Sequence, residues 1–178
     1  MANHSFNMDN RTSASLRAAK AGDVTFGSKD LFALVVGEPS WPIRTVEVWI
    51  GDENLSCVDS SAYLPSLLHS MKMMANRLKA QLSFLRHEPY LDGLSVEEAF
   101  LRVRTQEQPQ AWSDMRVLDF SPNTDDYLCF LLPVHGGLYL TFKKNSAPSI
   151  MAVPATPPEL IRILDSALME LARYAPNS

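Results

Sequence analysis

Residues 46–86 read VEVWIGDENLSCVDSSAYLPSLLHSMKMMANRLKAQLSFLR, and within this one stretch the spacing of the apolar side chains changes from that of a strand to that of a helix. Val46, Val48 and Ile50 alternate with Glu47 and Trp49, the period of a strand with one buried face. Gly51-Asp52-Glu53-Asn54 is turn chemistry, and Leu55–Val58 reads as the returning strand of a hairpin. From Leu64 the apolar positions Leu67, Leu68, Met71, Met74, Ala75, Leu78, Leu82 and Leu85 recur at helical spacing. Proline lacks the N–H of the helical ladder, so Pro65 fits only a first turn and the helix begins near Tyr63 or Leu64. It runs to Arg86, where His87-Glu88-Pro89 ends it.

Outward from this stretch, Leu31–Val36 (LFALVV) is a continuously apolar run closed by Gly37 and Pro39, which predicts a central strand. Ser95 followed by Glu98 is a capping box opening a short helix whose inward side chains are Val96, Ala99, Phe100 and Val103. Residues 105–114 read as a loop. From Met115 the period returns to two in MRVLDF, YLCFLLPV, LYLTFKK and IMAV, with Gly136-Gly137 as a hairpin turn. Thr156, Pro157 and Glu159 open a last helix facing inward with Leu160, Ile161, Ile163, Leu164, Ala167, Leu168 and Leu171. The expected fold class is α+β: a mostly antiparallel sheet from residues 31–58 and 115–153, packed by two long helices (64–86 and 156–174) and one short one. Residues 1–22 read as a flexible tail and 23–178 as a single domain.

Of 178 residues, 46% are apolar and 20% charged, which suits a globular chain, and no apolar run approaches the roughly 18 residues of a bilayer span. A cytoplasmic protein with no membrane role is the expectation. Cys57 and Cys129 lie in separate apolar runs and are expected as buried free thiols. The net charge of −4 is unevenly placed: residues 38–59 hold five acids against Arg44 alone, and residues 60–87 hold four bases and no acid. So acidic a surface is a poor match for phosphates, and nucleic acid is excluded as a partner.

The four histidines show no ligand spacing, and no serine elbow or glycine-rich phosphate loop occurs, so no metal, cofactor or enzymatic activity is expected. Two surfaces remain as candidate sites. Glu47 and Trp49 share the outer face of their strand and, with Trp41, Asp52 and Glu53, form an acidic patch with an apolar anchor for a basic partner. Met73, Arg77 and Phe84 form a second ridge on the long helix, of the composition that interfaces favour.

The stretch Val48-Trp49-Ile50-Gly51, Asp59, Tyr63-Leu64-Pro65 and the helix after it resembles the small immunity proteins of bacterial polymorphic toxin systems. That resemblance implies a non-enzymatic protein whose partner is another protein, a toxin domain of basic character. Two alternatives stand beside it. The chain is similar in size and charge to type III secretion chaperones, which implies a homodimer holding an effector segment, with the Met73–Phe84 ridge at the dimer contact. An α+β domain with a small-molecule or enzymatic site assembled from residues remote in sequence is the other.

Overall fold

Strands form where an extended chain can pack its side chains on one or both faces, and among the described residues they make two separate antiparallel sheets. The computed structural model describes residues 22–80, 85–120 and 122–175. The first sheet takes β1 (Val24–Ser28), β2 (Phe32–Val36), β3 (Ile43–Ile50) and the two-residue β4 (Glu53–Asn54) in that order, with β5 (Ser61–Tyr63) also paired to β3. The second is a meander of β6 (Tyr127–Val134), β7 (Gly137–Lys144) and β8 (Met151–Pro154). The helices are α1 (Leu64–Lys79), α2 (Glu88–Leu91), α3 (Val96–Arg104), α4 (Pro109–Met115) and α5 (Pro157–Ala172). The α+β class and the antiparallel pairing hold, but the single expected sheet is two.

Several boundaries differ from expectation for local reasons. The MRVLDF segment is no strand: Leu118 has a φ of 56°, which breaks the extended run, and only Arg116 bridges to Phe130. Leu55–Val58 does not return as a strand either. Asn54 Oδ1 accepts from the Ser56 N–H and Ser56 Oγ accepts from the Val48 N–H, so side chains take over the ladder, and Cys57 is exposed rather than buried. The hairpin turn falls one residue early, on His135 and Gly136, both at positive φ, while Gly137 begins β7.

α1 starts at Leu64 as Pro65 requires but stops at Lys79, well before Arg86, and Pro89 opens α2 instead of closing α1. The expected loop at 105–114 contains α4, with Pro109 in its first turn. The Ser95–Glu98 capping box forms in full. At α5 Thr156 is the cap residue without a side-chain bond, and the Glu159 carboxylate turns to Arg162 rather than back to the cap. The expected tail falls outside the described residues except for Gly22.

One main core joins the sheets. Phe32, Leu34, Val36, Val46, Val48 and Ile50 of the first sheet meet buried side chains of α1 and α5 and of β6 and β7, Phe130, Leu131 and Leu140 among them. Each such side chain contributes on the order of 1.5–3 kcal/mol by leaving water. Alternation along β3 then leaves Ile43, Thr45, Glu47 and Trp49 on the opposite face, and that face holds the candidate site.

Candidate interaction surface

The outer face of the first sheet is built by strand register. Ala33 pairs with Trp49, Val35 with Glu47, and Ile43 with Tyr63, so these six side chains share one face. Ala33, Val35 and Trp49 form a small buried cluster separate from the main core. Trp49 is only 7% exposed, and the expectation of an outward anchor is corrected here. Its Nε1 donates to Glu47 Oε2 at 2.9 Å, and Lys29 Nζ lies 3.8 Å from the ring centroid. The indole has its partners within the sheet: an acid at its edge and a cation over its face.

What the face does expose lies at its other end. Ile43 is 55% and Tyr63 54% exposed, a directly opposed cross-strand pair, and Trp41, two residues before Ile43, is 38% exposed. Tyr63 also sits at the cap of α1, where its side chain makes no capping bond. Sequence reading missed Ile43 and Tyr63, because it began the strand at Val46 and assigned Tyr63 to the helix. The signal was present in the spacing of Ile43, Thr45, Glu47 and Trp49, once the strand is extended back to Ile43.

Asp52 is exposed in the β3–β4 turn at a φ of 66°, and its N–H donates to the Lys29 carbonyl at 2.8 Å. Glu53 is not free for a partner in the way expected. It accepts from the Tyr127 hydroxyl at 2.9 Å and so ties the first sheet to the second. Burial, first, and the Glu53 carboxylate, second, push the Tyr127 phenol well above its ordinary range, so this donor stays protonated. Residues 22–63, which contain the whole first sheet, hold seven acids (Asp23, Asp30, Glu38, Glu47, Asp52, Glu53 and Asp59) against Lys29 and Arg44. Arg44 is buried and paired to Glu170 at 3.0 Å.

The α1 ridge fares differently. Met73 is half exposed, at the rim of a depression of about 270 Å³ that also includes His69, Arg77, Arg116 and Asp119. Arg77 is spent on structure: its guanidinium donates to the carbonyls of Ser113, at 3.5 Å, and of Arg116, closing the end of α4. Burial lowers its pKa, and Asp114 opposes that shift. Phe84 lies outside the described residues, so the ridge is represented by Met73 and a capping arginine.

Sequence reading also missed a polar knot between the start of α2 and α4. Asp114 Oδ2 accepts from His87 Nε2 at 2.8 Å and from Arg86 at 2.5 Å, and its Oδ1 accepts from Gln110 at 2.8 Å. Burial pushes this carboxyl up, but the three donors outweigh it and hold it below the ordinary aspartate range. Twenty-seven residues separate His87 from Asp114, so no local spacing announced the pair. Burial pushes the Cys129 thiol up to about 12, which keeps it a packing group. Among the described residues no group of three or more His, Cys, Asp or Glu is placed to hold a metal ion, and no helix is long and apolar enough to cross a membrane. No family model, curated protein or solved structure matches the chain.

Proposed function

We propose that this protein works by binding another protein through the outer face of its first sheet, and that the partner is basic. The observation carrying this reading is the exposed pair Ile43 and Tyr63, with Trp41 beside it in sequence, within a segment, residues 22–63, that holds seven acids and two bases. Interfaces combine aromatic and aliphatic anchors at their centre with charge at the rim. Here the anchors are Ile43, Tyr63 and Trp41, and the acids speed encounter with a cationic surface and reject an acidic one. The resemblance to immunity proteins gives this reading its specific form, neutralisation of a basic toxin domain in the cytoplasm without catalysis.

The test places a photo-crosslinking amino acid at Tyr63 and, as control, at the exposed Met169 on α5, in cells that express the protein. An adduct at position 63 and none at 169 is the expected result. With the captured partner purified, Ile43→Thr/Tyr63→Thr is expected to weaken binding tenfold or more, and added salt to weaken the parent complex. A partner bound equally by the parent and the double variant overturns the reading.

A further inference from the structure

A cleft of about 240 Å³ opens at the seam between the two sheets, on residues that the docking surface does not use. Its floor is the core side chains Phe32, Leu140, Leu160 and Ile163, each no more than 3% exposed, and its open walls at the mouth are Leu31, 44% exposed, Val153, Pro154 and Ala155. The β1–β2 turn, the end of β8 and the first turns of α5 meet here. The main chain defines the mouth too, since the Leu31 carbonyl accepts from the Gly51 N–H at 3.2 Å.

The charge of the lining decides what the cleft can hold. Among the described residues no lysine, arginine or histidine lines it, and the one carboxylate, Glu159, is engaged through both oxygens by Arg162, at 2.9 and 2.6 Å. An ion entering these apolar walls finds no free counter-charge, and an unpaired charge is costly to remove from water. A neutral molecule meets no such penalty. The polar groups at the rim are Ser28, whose hydroxyl is donated to Asp30, and Thr156, whose hydroxyl makes no capping bond. Thr156 thus offers one hydrogen bond to an entering hydroxyl or N–H.

Size narrows the class. An apolar cavity of about 150 Å³ lined by such side chains accepts benzene, so a larger cleft takes one substituted ring or a fused pair of rings. We infer that this cleft is a binding site for a small neutral ring compound with a single hydroxyl or N–H, its ring against Leu31, Val153 and Ala155 above the core floor and its polar group at Thr156. A ligand there bridges the two sheets and stabilises the fold by mass action. The inference is independent of the docking reading, since its test needs no protein partner.

Titration of the full chain with indole and 4-ethylphenol, followed by amide NMR, is the direct experiment. Saturable shifts at Leu31, Ala155 and Leu160 are expected, with dissociation constants in the millimolar range or tighter, as ligands of this size show. Benzoate and phenethylamine, of similar size but charged, should bind at least tenfold more weakly. Ala155→Leu narrows the cleft from its lining and should abolish the shifts. Leu31→Ala, at the exposed mouth, keeps the fold and should weaken binding several-fold. Absence of saturable shifts for both neutral probes, equal binding of the charged ones, or undiminished binding to Ala155→Leu in a folded protein each overturns the inference.

Discussion

Strand β6 of the second sheet and strand β3 of the first differ in how many of their faces are covered. Along β6 both faces are buried: Phe130 packs edge-on against Phe100 of α3 and Trp112 of α4, and Tyr127 on the alternate face reaches Glu53 of the first sheet. Along β3 only one face joins the main core, and the other holds Ile43, Thr45, Glu47 and Trp49. A strand covered on both faces has its side chains chosen by packing alone. A strand covered on one face is free to place recognition chemistry on the other, which is why the candidate surface lies on the first sheet.

The largest expected effect tests the covered strand, β6. Phe130 is fully buried with ring centroids 5.1 Å from Phe100 and 5.0 Å from Trp112. Phe130→Ala should cost about 3–5 kcal/mol in urea unfolding, the transfer and cavity cost of a core phenylalanine. A loss below about 1 kcal/mol would mean that α3 and α4 do not cover this face, and the contrast between β6 and β3 would fail.

The next effect lies on β3 itself, at its buried charge. Arg44 is 2% exposed, with Nε donating to the Gly37 carbonyl at 2.8 Å and Nη2 to Glu170 Oε1 at 3.0 Å. Glu170→Ala strands this guanidinium without its counter-charge and should cost about 3 kcal/mol. The double variant Arg44→Met/Glu170→Leu should recover most of that loss, because apolar replacement of a buried pair is often neutral. Equal losses in the single and double variants would show that packing, not the unpaired charge, sets the cost.

Legibility in the sequence follows the same division. α5 and the start of α1 were readable because prolines at Pro65 and Pro157 act locally, whatever surrounds them. The strand β6 was readable from its apolar run. β1 was missed because an edge strand with Gly27 at positive φ and mostly exposed side chains carries little apolar signal. α4 was missed although Gln108-Pro109 is a fair helix start, since its short length leaves only Ala111 and Met115 buried. Of the candidate surface, the facing of Glu47 and Trp49 was legible from alternation. The burial of Trp49 was not, because Lys29 reaches its ring from the β1–β2 turn, a contact that no local spacing encodes.

The smallest expected effect on stability falls at the residues with the largest expected role. Ile43 and Tyr63 stand opposed on β3 and β5, each more than half exposed, so replacing them removes little buried area. Threonine retains the strand preference of isoleucine at position 43. At position 63 it supplies a hydroxyl to the cap of α1, where tyrosine makes no bond, and that offsets the lost ring contact. Ile43→Thr/Tyr63→Thr should therefore unfold within about 0.5 kcal/mol of the parent, as substitutions at exposed sites do. The neighbouring residue gives the contrast: Arg44 differs from Ile43 by one position and faces the other way, and disrupting its pair should cost several times more. Equilibrium unfolding of both variants under one set of conditions measures the ratio. A loss above about 1.5 kcal/mol in the Ile43/Tyr63 variant would make the pair part of the folded structure and not a surface kept for a partner. A negligible loss, with strand and helix signals unchanged, leaves two large apolar side chains exposed with no role in folding, and their use then has to be sought in what binds them.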